Sequence, residues 1–305
     1  MQANVLVVGS LNMDLVVRAQ RLPKAGETLA GQSFVTVPGG KGANQAVAAA
    51  RLGARVAMLG CVGDDAYGQQ LRQGLRDEGI DCQGVRTVAG SSGTAMIMVD
   101  DASQNTIVII AGANGGLAEA DIAQHDALLQ AASVVVCQLE VPAATVGATL
   151  KRAKALGKTV ILNPAPAAGP LPAHWYAAID YLIPNESEAQ ALSGVVVDSL
   201  ASAQTAARHL LELGAPKVLI TLGERGLWFA DGAGQQHFPA ATVQAVDATA
   251  AGDTFVGGFA AALAQGQGEA QAIAFGQRAA ALSVTRAGAQ PSIPFLAEVE
   301  VGGEE

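Results

Sequence analysis

The stretch Asp247-Ala-Thr-Ala-Ala-Gly-Asp253-Thr-Phe255 sets a carboxylate directly behind three small residues, Ala250, Ala251 and Gly252, at a predicted helix start. Small side chains leave backbone N–H groups uncovered and a helix start adds the positive end of its dipole, so an anion would be held there. A carboxylate beside a bound phosphate repels it. Asp253 therefore makes sense there mainly if it takes a proton from an attacking hydroxyl. The other reading is that Asp253 caps the helix, the commoner task for Asp at such a position. On this motif alone both stay open.

Further polar residues follow apolar runs that read as strands, the places where ligands collect in an open α/β sheet. Asn12 and Asp14 are spaced to share one side of a strand, an amide and a carboxylate that could grip sugar hydroxyls, or else a solvent-facing edge. Pro38-Gly-Gly-Lys-Gly-Ala-Asn44 precedes a helix over Gln45–Leu52, so Lys41 and Asn44 could hold a polyol, although such loops often only turn the chain. It is not a Walker A loop, because Gly42 rather than Ser or Thr follows Lys41. Glu140 follows Val134–Leu139 and could bind a hydroxyl or serve a helix dipole. Pro184-Asn-Glu-Ser-Glu188 opens a short helix, and its carboxylates suit either capping or a hydrated Mg²⁺. Thr221-Leu-Gly-Glu-Arg-Gly226 joins two strand-like runs and could line a nucleotide or form a tight hairpin turn, the commoner role for Glu224. The first strand leads into Gly9-Ser-Leu-Asn12 without GxGxxG, and no GxSxG is present, so neither nicotinamide binding nor serine-hydrolase chemistry is supported.

The elements that must position these residues alternate. Apolar runs at Asn4–Gly9, Val56–Gly60, Val134–Cys137, Thr159–Leu162, Tyr181–Ile183 and Val218–Thr221 are separated by helical segments at about 43–52, 65–78, 119–131, 142–156, 199–213, 251–265 and 268–286. This rhythm predicts an α/β fold, a doubly wound and mainly parallel sheet with helices on both faces. Residues 12–37 and 93–111 break it and read as antiparallel strands forming a small β lid over one edge, the other reading being an antiparallel extension of the main sheet. The 305 residues are expected to form a single domain, with the acidic Glu298–Glu305 end a frayed tail. Half of the residues are apolar and 15% are charged, which demands a large core. A net charge of -9 supplies no basic stripe for nucleic acid. No apolar run of membrane-spanning length and no basic leader occur, so a cytoplasmic location is expected. Cys61, Cys82 and Cys137 lack metal-site spacing and read as reduced packing residues, and His125, His174, His209 and His237 read as surface residues on helices or loops.

Taken together, these motifs resemble the ribokinase family of sugar kinases along the whole chain. Gly39-Gly-Lys-Gly-Ala-Asn44-Gln-Ala46 with Gly53 and Gly63 is similar to its first signature, and Asp247–Phe255 to its second. Asn185–Glu188 resembles its NxxE motif and Thr221–Gly226 its nucleotide loop. The resemblance implies that Asn12, Asp14, Gly40, Lys41, Asn44 and Glu140 bind the sugar, that Asp253 is the base, and that Ala250, Ala251 and Gly252 form an anion hole. It further implies that Asn185, Thr221, Gly223, Gly226, Gly252 and Gln277 line an ATP site and that Glu188 acts on Mg²⁺ through water. Asp247, Thr249, Ser283, Arg286, Gly288 and Ser292 match a site for K⁺, several through backbone oxygens. Ala248 stands where the family usually has Thr, Ser, Pro or Val, and Gln277 where it often has His or Asn.

The implied reaction is ATP-dependent phosphorylation of D-ribose at the 5-hydroxyl, with lids pairing in a homodimer. Three alternatives are a family member acting on 2-deoxyribose, fructose or a nucleoside, a sugar-binding regulator without catalysis, and a dinucleotide-dependent oxidoreductase.

Overall fold

A computed structural model describes residues 4–301 other than 103 and 168. Its strands, in chain order, are β1 (Val5–Val8), β2 (Asn12–Arg18), β3 (Ser33–Gly39), β4 (Val56–Gly63), β5 (Asp81–Val88), β6 (Gly93–Val99), β7 (Asn105–Ile110), β8 (Val134–Cys137), β9 (Thr159–Leu162), β10 (Tyr181–Leu182), β11 (Lys217–Thr221), β12 (Leu227–Asp231) and β13 (Gln235–Phe238). The main sheet runs β13-β12-β11-β10-β9-β8-β1-β4-β5. It is parallel from β11 to β5, with β12 and β13 added antiparallel at one end.

Continuous apolar strands fit this arrangement because both faces are covered. Val5 and Val7 pack into one core and Leu6 and Val8 into the other. On the first face the helices Lys41–Arg51, Ala251–Ala264 and Glu269–Ser283 stack, with Phe259 fully buried between Tyr181 and Phe255. Removing a side chain so enclosed costs about 3–5 kcal/mol. Gly257 lets Ala251–Ala264 press on Lys41–Arg51: a Cβ there would lie 2.5 Å from Ala48 Cβ and 2.7 Å from Gln45 O. The close crossing carries Asp253 to Asn44 and Gln45.

The lid is a separate sheet in the order β3-β2-β6-β7. Its hairpins β2–β3 and β6–β7 are antiparallel, but its central pair β2–β6 is parallel. Two insertions that meet side by side set that direction. Other differences from the sequence reading also have local causes. β5 and β13 were not foreseen because these edge strands carry polar residues such as Asp81, Gln83, Gln235 and Gln236. The helix predicted over 119–131 breaks at His125 into Glu119–Gln124 and Asp126–Ala131. His237 lies on β13 rather than a helix or loop, its ring stacked against Trp228. Glu298 sits in the helix Leu296–Val301, paired with Arg286 and capping Phe295 N–H, while residues 302–305 lie outside the described part. The three cysteines are free. Among the described residues no helix is long and apolar enough to cross a membrane.

Candidate active site

Asp253 lies in the first turn of Ala251–Ala264 and is 7% exposed. It does not cap the helix. Its Oδ2 accepts Asn44 Nδ2–H at 3.1 Å and its Oδ1 accepts Gln45 Nε2–H at 2.9 Å. Ala250, the residue before the helix, adopts the left-handed region at φ 60°, the one positive φ outside glycine among the described residues. Such a conformation costs Ala about 1–2 kcal/mol and turns the chain sharply into the helix. Ala251 N–H closes this turn on Ala248 O at 3.2 Å, so it is engaged. The N–H groups of Ala250, Gly252 and Asp253 find no acceptor among the described residues and remain for an anion.

This turn walls a cavity of about 200 Å³ together with Lys41, Asn163, Asn185, Glu188, Thr221 and Ala248. Only Gly40 separates the end of β3 from Lys41 at the start of its helix, so Lys41 belongs to the main body rather than the lid, and the helix begins ahead of both the 43–52 and the Gln45–Leu52 bounds that its sequence suggests. Burial works against its charge, but Asp253, Glu140 and Glu188 outweigh that and hold the ammonium protonated. Asn185 caps Glu186–Ser193 by accepting Glu188 N–H at 2.9 Å, and Glu188 Oε2 returns the bond to Asn185 N–H at 2.9 Å. Glu188 thus performs the capping role and also faces the cavity. Burial pushes its carboxyl up.

A second cavity, about 390 Å³, is lined by Asn12, Asn114 and Glu140 with Ile109 from the lid. Asn12 pairs across β2 with Gly39 on one side and Gly93 on the other. Both glycines make room for polar groups. A Cβ on Gly93 would lie 2.3 Å from Asn12 Oδ1 and one on Gly39 would lie 2.3 Å from Asp14 Oδ2. Asn114 Nδ2–H donates to Asn12 Oδ1 at 2.7 Å, which leaves the Asn12 amide N–H groups to face a ligand. Gly40 holds φ 90°, and a side chain on it would strike Asn12 N at 2.7 Å. Glu140 Oε2 accepts Ser10 Oγ–H at 2.5 Å and Lys41 N–H at 3.1 Å, tying the strand end to the helix start. Burial, then the charges of Glu140 and Asp253, push the Asp14 carboxyl up to about 7.

Gly223, Gly226 and Gln277 do not line the smaller cavity. The first two belong to the β11–β12 turn, where Gly226 at φ 91° approaches Phe238 O so closely that a Cβ would lie 2.1 Å away, and Gln277 Nε2–H donates to that same Phe238 O at 3.1 Å. They form one rim next to Thr221. The Thr221 segment is therefore both a hairpin turn and a cavity wall.

At the other end of the second motif, Asp247 Oδ1 accepts Thr249 N–H and Oγ1–H, and Oδ2 accepts Gly288 N–H at 2.8 Å. Burial would raise this carboxyl, but those bonds outweigh it and hold it down. Arg286 N–H donates to Ser283 O, the Arg286 guanidinium pairs with Glu298, and Ser283 and Ser292 turn their hydroxyls onto Ala280 O and Ala289 O. Backbone oxygens of these residues are a donor type suited to K⁺. Among the described residues no three His, Cys, Asp or Glu side chains are placed to hold a metal ion. A Mg²⁺ here would take most ligands from water and phosphates, with Glu188 reaching it through water.

Ser10, Gln45, Asn114, Gln138 and Asn163 are site residues that sequence reasoning missed. Ser10, Gln138 and Asn163 follow the carboxyl ends of β1, β8 and β9, and Gln45 follows Asn44, so the same strand-end rule reaches most of them.

Residues 2–296 match the pfkB family of carbohydrate kinases. The chain belongs to that family. This carbohydrate kinase is 43% identical over 299 residues to ribokinase of Haemophilus influenzae, covering 98% of this chain and 97% of that protein. It is 39% identical over 294 residues to deoxyribokinase of Salmonella typhi, covering 96% of each. The solved structure of Arabidopsis thaliana ribokinase complexed with ribose and ATP is similar at a TM-score of 0.90 and 33% identity, over 99% of this chain and 98% of that one. The fold is thus that of ribokinases, a mainly parallel sheet with a small separate lid sheet.

Proposed function

We propose that this carbohydrate kinase transfers the terminal phosphoryl group of ATP to the 5-hydroxyl of D-ribose, giving D-ribose 5-phosphate and ADP. The observation that carries the reading is Asp253, held by two amide donors beside unpaired backbone N–H groups, with Lys41 linking its cavity to Glu140 on the sugar side.

The sugar lies between Asn12, Asp14, Gly40, Asn44 and Glu140. Its 5-hydroxyl gives its proton to Asp253, the oxygen bonds the γ-phosphorus, and the bond from that phosphorus to the bridging oxygen breaks, leaving the electron pair on ADP. Little covalent help is needed, so positioning and charge stabilisation dominate. The N–H groups of Ala250 and Gly252 hold the moving phosphoryl group from one side and Lys41 from the other. Asn185, Thr221, Gly223, Gly226 and Gln277 receive the nucleotide. Glu188 would hold Mg²⁺ through water beside ATP, supplying neutralisation of phosphate charge, and the Asp247–Gly288 loops would hold K⁺ next to the turn that carries Ala250. The lid exposes Phe34, Met96, Val108 and Ile110 on one face, an apolar surface that a second copy covers, so the enzyme is a homodimer. Three free cysteines suit a cytoplasmic location.

The test is ADP release across a sugar panel, in K⁺ and then in Na⁺. Ribose should give the highest kcat/KM, and K⁺ should raise it. A second reading, a 2-deoxyribose kinase, is favoured by the Salmonella relative. 2-Deoxyribose outperforming ribose would establish it and overturn the ribose reading of the site.

A further inference from the structure

Gln45 is completely buried and its amide is fully committed. Nε2 donates one hydrogen to Asp253 Oδ1 at 2.9 Å and the other to Asn163 Oδ1 at 3.0 Å, while Oε1 accepts Gln138 Nε2–H at 2.5 Å. Asn163 Nδ2–H is spent on Ile183 O at 2.8 Å. The polarity of this chain is dictated from one end. An ionised carboxylate only accepts, so Gln45 must turn its nitrogen to Asp253 and its oxygen to Gln138, which then must present its own nitrogen. Gly9 is part of the fit, since a Cβ there would lie 1.9 Å from Gln138 Oε1. That Oε1 is buried without a partner, a cost tolerated in a row whose other bonds are made.

We infer that Gln45 is a positioning residue for the phosphoryl transfer. With Gln138 behind it, Gln45 fixes the rotamer of Asp253, so that Oδ2, steadied by Asn44, is aimed at the sugar hydroxyl. This rests on Asp253 being the base. Asn163 lies on the wall of the smaller cavity, so the same amide ties the base to the nucleotide side.

The test compares Gln45→Met, Gln138→Met and Asp253→Asn in the full-length enzyme, with kcat, KM for both substrates and the circular dichroism spectrum. Gln45→Met should lower kcat on the order of 10- to 100-fold with KM values within about threefold. Gln138→Met should lower kcat by less, again with KM values nearly unchanged. A folded Gln45→Met with kcat within twofold, or with the loss in KM rather than kcat, overturns the inference; if that variant fails to fold, unchanged kcat in Gln138→Met does so. Near-normal turnover in Asp253→Asn would instead overturn the proposed base.

Discussion

Replacing Asp14 by Asn makes the electrostatic strain at this buried carboxyl measurable. Burial and the nearby Glu140 and Asp253 carboxylates raise Asp14 from 3.8 to about 7. In the unfolded chain it ionises near its ordinary value, so between about pH 4 and 7 the folded state retains a proton that the unfolded state has released. Stability is therefore lost as pH rises through that window and stays level above it. The full interval corresponds to roughly 4 kcal/mol, an upper figure because relaxation and water soften it. Asn keeps the shape and drops the charge. Asp14→Asn should thus be more stable than the parent at pH 8 by on the order of 2–4 kcal/mol, with the gain shrinking as pH falls toward 4 and vanishing below about pH 3, where Asp14 is protonated in both states. The assay is urea denaturation of the sugar-free enzyme at pH 8, 6 and 4.5, comparing midpoints at constant m. A pH-independent difference, or a variant less stable at pH 8, would refute the reasoning. The same variant should bind ribose less tightly, since a hydroxyl acceptor is lost.

Gly93→Ala should raise the ribose KM about tenfold or more with the ATP KM unchanged in steady-state assays, because its Cβ collides with the Asn12–Asn114 pair. Ala250→Val should lower Tm by about 2–4 °C and reduce turnover, since a β-branched side chain at φ 60° adds at least 1 kcal/mol of strain, roughly, to the turn. Val108→Glu, placed at a position 56% exposed on the lid, should shift size-exclusion elution from dimer to monomer at micromolar concentration.

Much of the fold was legible because the fully buried parallel strands write themselves as unbroken apolar runs, as Val134–Cys137 does. Asp81–Val88 and Gln235–Phe238 could not be read so, since an edge strand has a wet side. The parallel β2–β6 pair was equally hidden, because local alternation says nothing about which distant strand lies alongside. In the site, Asp253 and Lys41 stood out through charge beside glycine, and Glu188 through its place in a carboxylate pair at a helix start. Gln45, Gln138 and Asn114 did not, because an uncharged amide gains its meaning from its partner. Only the Gly257 crossing brings Gln45 to Asp253, and nothing in the order of residues displays that contact.

The β2–β6 seam bears on how such a lid can be inherited or transplanted. It is stitched from two stretches of chain lying on either side of β4 and β5, and each hairpin serves as the other's inner border. Deleting either would uncover a row of backbone donors and acceptors beside apolar side chains, the makings of an aggregating edge. The lid is therefore not a cassette. A graft onto another kinase must carry both stretches together, with Gly39 and Gly93 retained, or the transplanted strands would have no room for Asn12 and Asp14.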